Sequence, residues 1–132
     1  MDFFIHPAIY IAQTERKGLG IFTREALPEG FCVEVSPVLV MDAMARNNID
    51  KTLLHDYIFE WIPDGEKQCC MALGYLSIYN HSPTSNCEYF MLYDEHKMYI
   101  QTIRPLVAGE ELSINYNGDW NNSAPVWFPL ND

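Results

Sequence analysis

The chain has 132 residues, 48% of them hydrophobic, which suits one folded domain and excludes an intrinsically disordered segment. Eighteen acidic residues against eight basic ones give a net charge of −10, which opposes direct nucleic-acid binding and favours basic protein partners. No apolar run approaches the roughly 18 residues of a membrane helix, and the opening MDFFIHPAIYIAQTERKG lacks the basic start of a signal peptide. An intracellular, cytoplasmic protein without a membrane segment is expected.

In chain order, FFIHPAIYIA reads as an N-terminal strand that Pro7 confines to a sheet edge. GIFTREALPEG is a short strand followed by a turn at Pro28–Gly30. FCVEVSPVLVM is β-branched and apolar, a strand bent or edge-placed at Pro37. DAMARNNIDKTLLHDYIFEW is the one helical candidate, with Asp42 as its cap and a break near Asn47–Asn48. CEYFMLYDEHKMYIQTI reads as a hairpin turning near Asp94–His96, and ELSINY as a last strand. The irregular tail NGDWNNSAPVWFPLND carries Trp120, Trp127 and Phe128, large aromatics that dock on something. These pieces predict a mainly β fold of short strands in small sheets.

Four cysteines stand at positions 32, 69, 70 and 87 without any C-x-x-C spacing, so no metal site is expected and the thiols read as plain buried side chains. A Cys–His nucleophilic pair, Cys87 or Cys69 with His81, has no supporting signature.

Three segments carry chemistry. RKGLGIF places Gly18 and Gly20 about one residue, where the backbone can approach a ligand closely; it lacks the longer glycine pattern and following helix of a dinucleotide site. YLSIYNHSPTSNCEYF sets Asn80, His81 and Ser82 directly after an apolar run, with turn formers behind them. GEELSINY ends a strand on Tyr116, before the Asn117–Gly118 turn.

The order and combination of these segments resemble the SET-domain protein lysine methyltransferases. The likeness runs from about Ile9 to Trp120, within a single domain of residues 1–132 whose last residues, 121–132, form a tail. It is nearest to the minimal viral and bacterial type, which lacks the cysteine-rich flanking segments. The resemblance implies a β-clip-like fold with a C-terminal pseudoknot, and S-adenosyl-L-methionine as cofactor. It assigns cofactor contacts to Lys17, Gly18, Leu19, Gly20, Asn80, His81 and Tyr116, the catalytic role to Tyr116, and the lysine channel to Tyr57, Tyr79 and Trp120. Three positions depart from the family pattern: Pro83 stands where many members have Cys, Ser85 where Pro is common, and Asn117 where small relatives often have Gly.

The substrate implied is a lysine in a basic, histone-like protein tail, which the acidic surface attracts. A viral or effector protein of this type would work in a host nucleus. Monomer and homodimer both remain open, and the alternative function is a SET-fold module that docks basic peptides with little turnover.

Overall fold

The computed structural model describes residues 2–116. Trp120, the aromatic tail and the Asn117 departure therefore lie outside the described residues.

The N-terminal run is two strands. Pro7 sits in a turn between β1 (Phe4–Ile5) and β2 (Ile9–Gln13), closed by Ile9 N–H to the His6 carbonyl at 3.0 Å. β3 spans Leu19–Thr23 and β4 Cys32–Met41. Helix α1 (Ala43–Ile49) begins where expected: Asp42 caps it, its Oδ1 accepting from Ala45 N–H at 2.9 Å. It runs through Asn47 and Asn48, and the chain breaks after it. Thr52 caps a separate 3-10 turn over Leu53–Tyr57, and IFEW forms β5 (Ile58–Trp61). The β-branched and aromatic character of that segment wins over the helix formers before it.

β6 covers Gln68–Ala72, a 3-10 turn Leu76–Ile78, and β7 Asn80–His81. The expected hairpin is β8 (Cys87–Leu92) and β9 (Lys97–Thr102), turned by His96 at φ +51°. β10 is Glu111–Ile114.

Two sheets result. One has the order β5-β6-β4-β9-β8, with β1 added on β4; the other has the order β2-β3-β10-β7. β4 lies inside the first sheet and not at its edge. Along one side it pairs with β9 from Cys32 to Pro37; along the other it pairs with β1 at Glu34–Val35 and with β6 from Val38. Pro37 falls in the step between β1 and β6, where a missing N–H leaves no partner stranded. Its carbonyl accepts from Leu73 N–H at 3.0 Å.

Both sheets feed one core, in which Ile21, Val33, Leu76, Ile100, Leu112 and Ile114 are wholly buried. Each such side chain contributes about 1.5–3 kcal/mol on burial. Leu27 and Leu106 exchange backbone hydrogen bonds at 3.0 and 2.9 Å, joining the loops before β4 and β10.

Thr102 ties β9 to the turn at Pro28. Its buried hydroxyl accepts from Phe31 N–H at 2.9 Å and donates to the Pro28 carbonyl at 2.7 Å. Thr102→Val keeps the shape and strands both backbone groups, so it should cost about 2–3 kcal/mol. Urea unfolding measures this, and an unchanged midpoint would contradict the assignment.

Candidate active site

Among the described residues a single strand pairing is parallel, and the candidate site forms around it. Among the described residues, β10 enters between β3 and β7, antiparallel to the first and parallel to the second. β7 is two residues long, so the pairing needs side-chain support. Ser82 N–H donates to the Ile114 carbonyl at 3.0 Å. His81 is buried, and its Nδ1 accepts from Tyr116 N–H at 2.9 Å. Asn86 acts as a surrogate strand: Oδ1 accepts from Ser113 N–H at 2.8 Å, and Nδ2 donates to the Glu111 carbonyl at 2.8 Å. The polar run Asn80–His81 and the later Asn86 thus clamp the end of β10 against β7.

A cleft of about 520 Å³ opens on one side of this crossing, lined among others by Lys17, Gly18, Leu19, Asn80 and Tyr116. Asn80 fixes its floor, with Nδ2 donating to the Leu19 carbonyl at 3.0 Å and to Glu111 Oε2 at 2.8 Å. Gly20 stands behind the lining. A Cβ there would fall 2.7 Å from both Glu111 Oε2 and Thr14 Cγ2, so only glycine lets Asn80 reach across. Gly18 serves differently: at φ +72° it turns the chain, and the Gly18 carbonyl accepts from Thr14 N–H at 2.7 Å.

A second cavity, about 460 Å³, adjoins the cleft and is lined among others by Asp56, Tyr57, Phe59, Tyr79, Tyr89 and Tyr116. The two spaces share Asp56, Tyr57, Ser77 and Tyr116 as their common wall. The Tyr116 hydroxyl donates to the Tyr79 carbonyl at 2.8 Å, and its ring lies 5.1 Å from that of His81. Ser77 Oγ donates toward the Tyr57 carbonyl at 3.0 Å. The mouth of this cavity carries Asp50 and Glu60, paired with His55 at 2.9 Å and Arg46 at 3.1 Å respectively.

Burial, then the nearby charges of Asp56, Tyr57 and Glu111, pushes the Tyr116 phenol up to about 12. Tyr116 is therefore a neutral hydrogen-bonding group at physiological pH and no base. Burial likewise raises the thiols, Cys70 to about 12 and Cys87 further still. A nucleophilic cysteine needs its thiolate, so the Cys–His reading finds no support. No group of three metal-ligating side chains occurs among the described residues, nor is any helix there long and apolar enough to cross a membrane.

The crossing brings Lys17, Gly18, Leu19 and Asn80 together with Tyr57, Tyr79 and Tyr116. Gly20 and His81 support the lining from behind. Sequence reasoning missed Asp56 and Ser77 on the shared wall and Glu111 beneath Asn80. Glu111 lay within the quoted GEELSINY; nothing in the sequence marks Ser77.

A 13Cζ-tyrosine titration by NMR, assigned by the signal lost in Tyr116→Phe, should show Tyr116 unmoved through pH 10, since its phenol holds its proton to about pH 12. Titration at the ordinary tyrosine value would contradict the burial and the hydrogen bond together.

Comparison with known proteins agrees with this geometry. The SET domain model matches residues 18–117. The chain is 34% identical over 127 residues to a Schizosaccharomyces pombe protein named histone-lysine N-methyltransferase, H3 lysine-37 specific, covering 94% of this chain and 79% of that one. It superposes with a TM-score of 0.65 on a crystal structure of a Plasmodium falciparum protein described as a candidate histone methyltransferase, at 25% identity, covering 88% of this chain and 98% of the other. By sequence and by fold, the chain belongs to the SET-domain family of protein-lysine methyltransferases.

Proposed function

We propose that the cleft at Lys17–Leu19 and Asn80 holds S-adenosyl-L-methionine, and that the cavity across Tyr116 admits a lysine side chain of a basic, histone H3-like protein. SET methyltransferases as a family use this cofactor. The shared wall carries the reading: two spaces of suitable size meet at Tyr57 and Tyr116, so a donor in one and an acceptor in the other would come together there. The donor set fits the cofactor. The cleft offers backbone groups at a glycine-bearing turn, an asparagine amide tied into its floor, and the Asp56 carboxylate to balance a cation.

When bound, S-adenosyl-L-methionine supplies a methyl group on a sulfonium, with a neutral thioether as leaving group. The chain's own residues must deliver an uncharged amine in line. A free lysine has a pKa of about 10.4 and arrives as ammonium. Asp56 in the shared wall attracts it, while Asp50 and Glu60 are engaged by His55 and Arg46 at the same cavity. Between the rings of Tyr57, Tyr89 and Tyr116 the ammonium loses hydration, which favours release of its proton to solvent. The Tyr116 hydroxyl donates to the Tyr79 carbonyl, which fixes its oxygen at the wall the two spaces share, where it would orient the amine. Positioning of this kind supplies much of the rate in a bimolecular transfer.

The net charge of −10 and the acids at the cavity mouth support a lysine-rich protein as substrate. A histone substrate in turn would bring the chain to the nucleus. Residues 1–132 would then form one catalytic domain with its core over about 9–120, in which Trp120 would complete the channel. A docking module without turnover would leave the cofactor-side cleft unexplained, and titration with S-adenosyl-L-methionine separates the two readings.

Three outcomes test the proposal. Labelled S-adenosyl-L-methionine with mixed histones should mark a lysine detectable by mass spectrometry; no labelled lysine in histones or lysate would overturn it. In Tyr116→Phe, cofactor binding should persist while kcat falls about a hundredfold, a loss of about 3 kcal/mol made chiefly in the transition state. Asn80→Ala should instead weaken cofactor binding about tenfold, because the Leu19 carbonyl and Glu111 lose their common partner. Normal affinity there would remove Asn80 from the cleft.

A further inference from the structure

Glu34 is a carboxylic acid in the middle of the first sheet. It stands in the apolar stretch FCVEVSP on β4 and is wholly buried. Neither cavity includes it. A buried carboxyl is costly unless its hydrogen bonds repay it. Its Oε2 accepts from Ser36 Oγ at 2.6 Å and, 41 residues along the chain, from Tyr75 N–H at 2.8 Å. The turn that delivers Tyr75 is built against it: Gly74 has φ +70°, and a Cβ there would lie 2.5 Å from Glu34 Oε2.

Tyr75 begins the 3-10 turn Leu76–Ile78, which has no side-chain cap of its own. Two residues of this short segment hold the shared wall. Ser77 Oγ donates toward the Tyr57 carbonyl at 3.0 Å, and the Tyr79 carbonyl accepts from the Tyr116 hydroxyl at 2.8 Å. The Tyr79 ring points back into the core, where its hydroxyl faces Glu34. That hydroxyl and Glu34 Oε1 face each other just outside full hydrogen-bond geometry, and neither completes a hydrogen bond with another of the described residues. Glu34 therefore meets the segment at both ends, at the Tyr75 amide and at the Tyr79 side chain.

We infer that Glu34 is a positioning residue for methyl transfer: from behind the site it fixes the 75–79 segment, and through that segment the Tyr57 and Tyr116 side of the lysine channel. The inference rests on the function proposed above. Burial drives the Glu34 carboxyl toward its neutral form, against the hydrogen bonds from Ser36 and Tyr75. A neutral amide of the same length can hold the same amide and hydroxyl, with an N–H left for Tyr79.

The test compares Glu34→Gln with Glu34→Met, each checked for folding by thermal unfolding. Glu34→Gln should retain kcat within about twofold, whereas Glu34→Met should lower kcat about tenfold or more at unchanged cofactor affinity. Combining Glu34→Met with Tyr116→Phe should cost far less than the product of the two single losses, because both act through one hydroxyl. Wild-type kcat in folded Glu34→Met, or fully multiplicative losses in the double variant, would overturn the inference. If Glu34→Met does not fold, Glu34→Asp takes its place, since it draws the carboxyl back by one methylene from the Tyr75 amide.

A readout without activity keeps the two proposals apart. The 13Cζ signal of Tyr116 should shift in Glu34→Met and stay in place in Glu34→Gln. If the unaltered chain transfers no methyl group, the proposed function fails, and this shift alone decides the role of Glu34: an unmoved signal overturns it.

Discussion

The arrangement depends on the hydrogen bond from Tyr116 N–H to His81 Nδ1, at the point where β10 passes β7. Two residues of parallel strand cannot hold a chain end by backbone pairing alone. A buried imidazole as acceptor closes the crossing one step beyond the last strand residue and sets the Tyr116 ring 5.1 Å from its own. From that one constraint the hydroxyl falls on the Tyr79 carbonyl, and a single ring becomes the wall of two cavities.

The molecule tolerates several buried polar side chains around this crossing: Asn86, Ser85, Asn115 and Glu34 are all nearly inaccessible. Each would destabilise the fold if left unpaired. Asn86 and Glu34 bridge segments far apart in sequence, to β10 and to Tyr75, whereas Ser85 donates locally to the Cys87 carbonyl. Such bonds specify one geometry where apolar contacts would allow several. The walls of the two cavities are thereby held by groups that line neither of them, which on the proposed function would spare the site reorganisation when an amine arrives.

Much of this was legible in the sequence because local chemistry and tertiary structure agree. The cap at Asp42, the hairpin through His96, the last strand at Glu111 and the NHS segment all announce themselves through residue types with a narrow structural use. The errors came where tertiary pairing overrides local signals. Pro37 reads as a bend or an edge position, and of these the edge is wrong: it sits inside a sheet at a change of neighbour. Pro7 divides one apparent strand between two sheets. The segment after Thr52 carries helix formers but ends in a strand, because β6 offers it a partner. Ser77 and Glu34 carry no spacing signal at all, and their roles exist only once the 75–79 segment has folded against β4.

On the proposed function, methyl donor and lysine meet at Tyr116, in the wall that the two cavities share. A nuclear Overhauser measurement on the chain saturated with S-adenosyl-L-methionine carrying a 13C methyl group tests it most directly. Cross-peaks are expected from that methyl to the ring protons of Tyr116, one of the four residues that line both cavities. Bound cofactor whose methyl shows no contact with Tyr116 would contradict it.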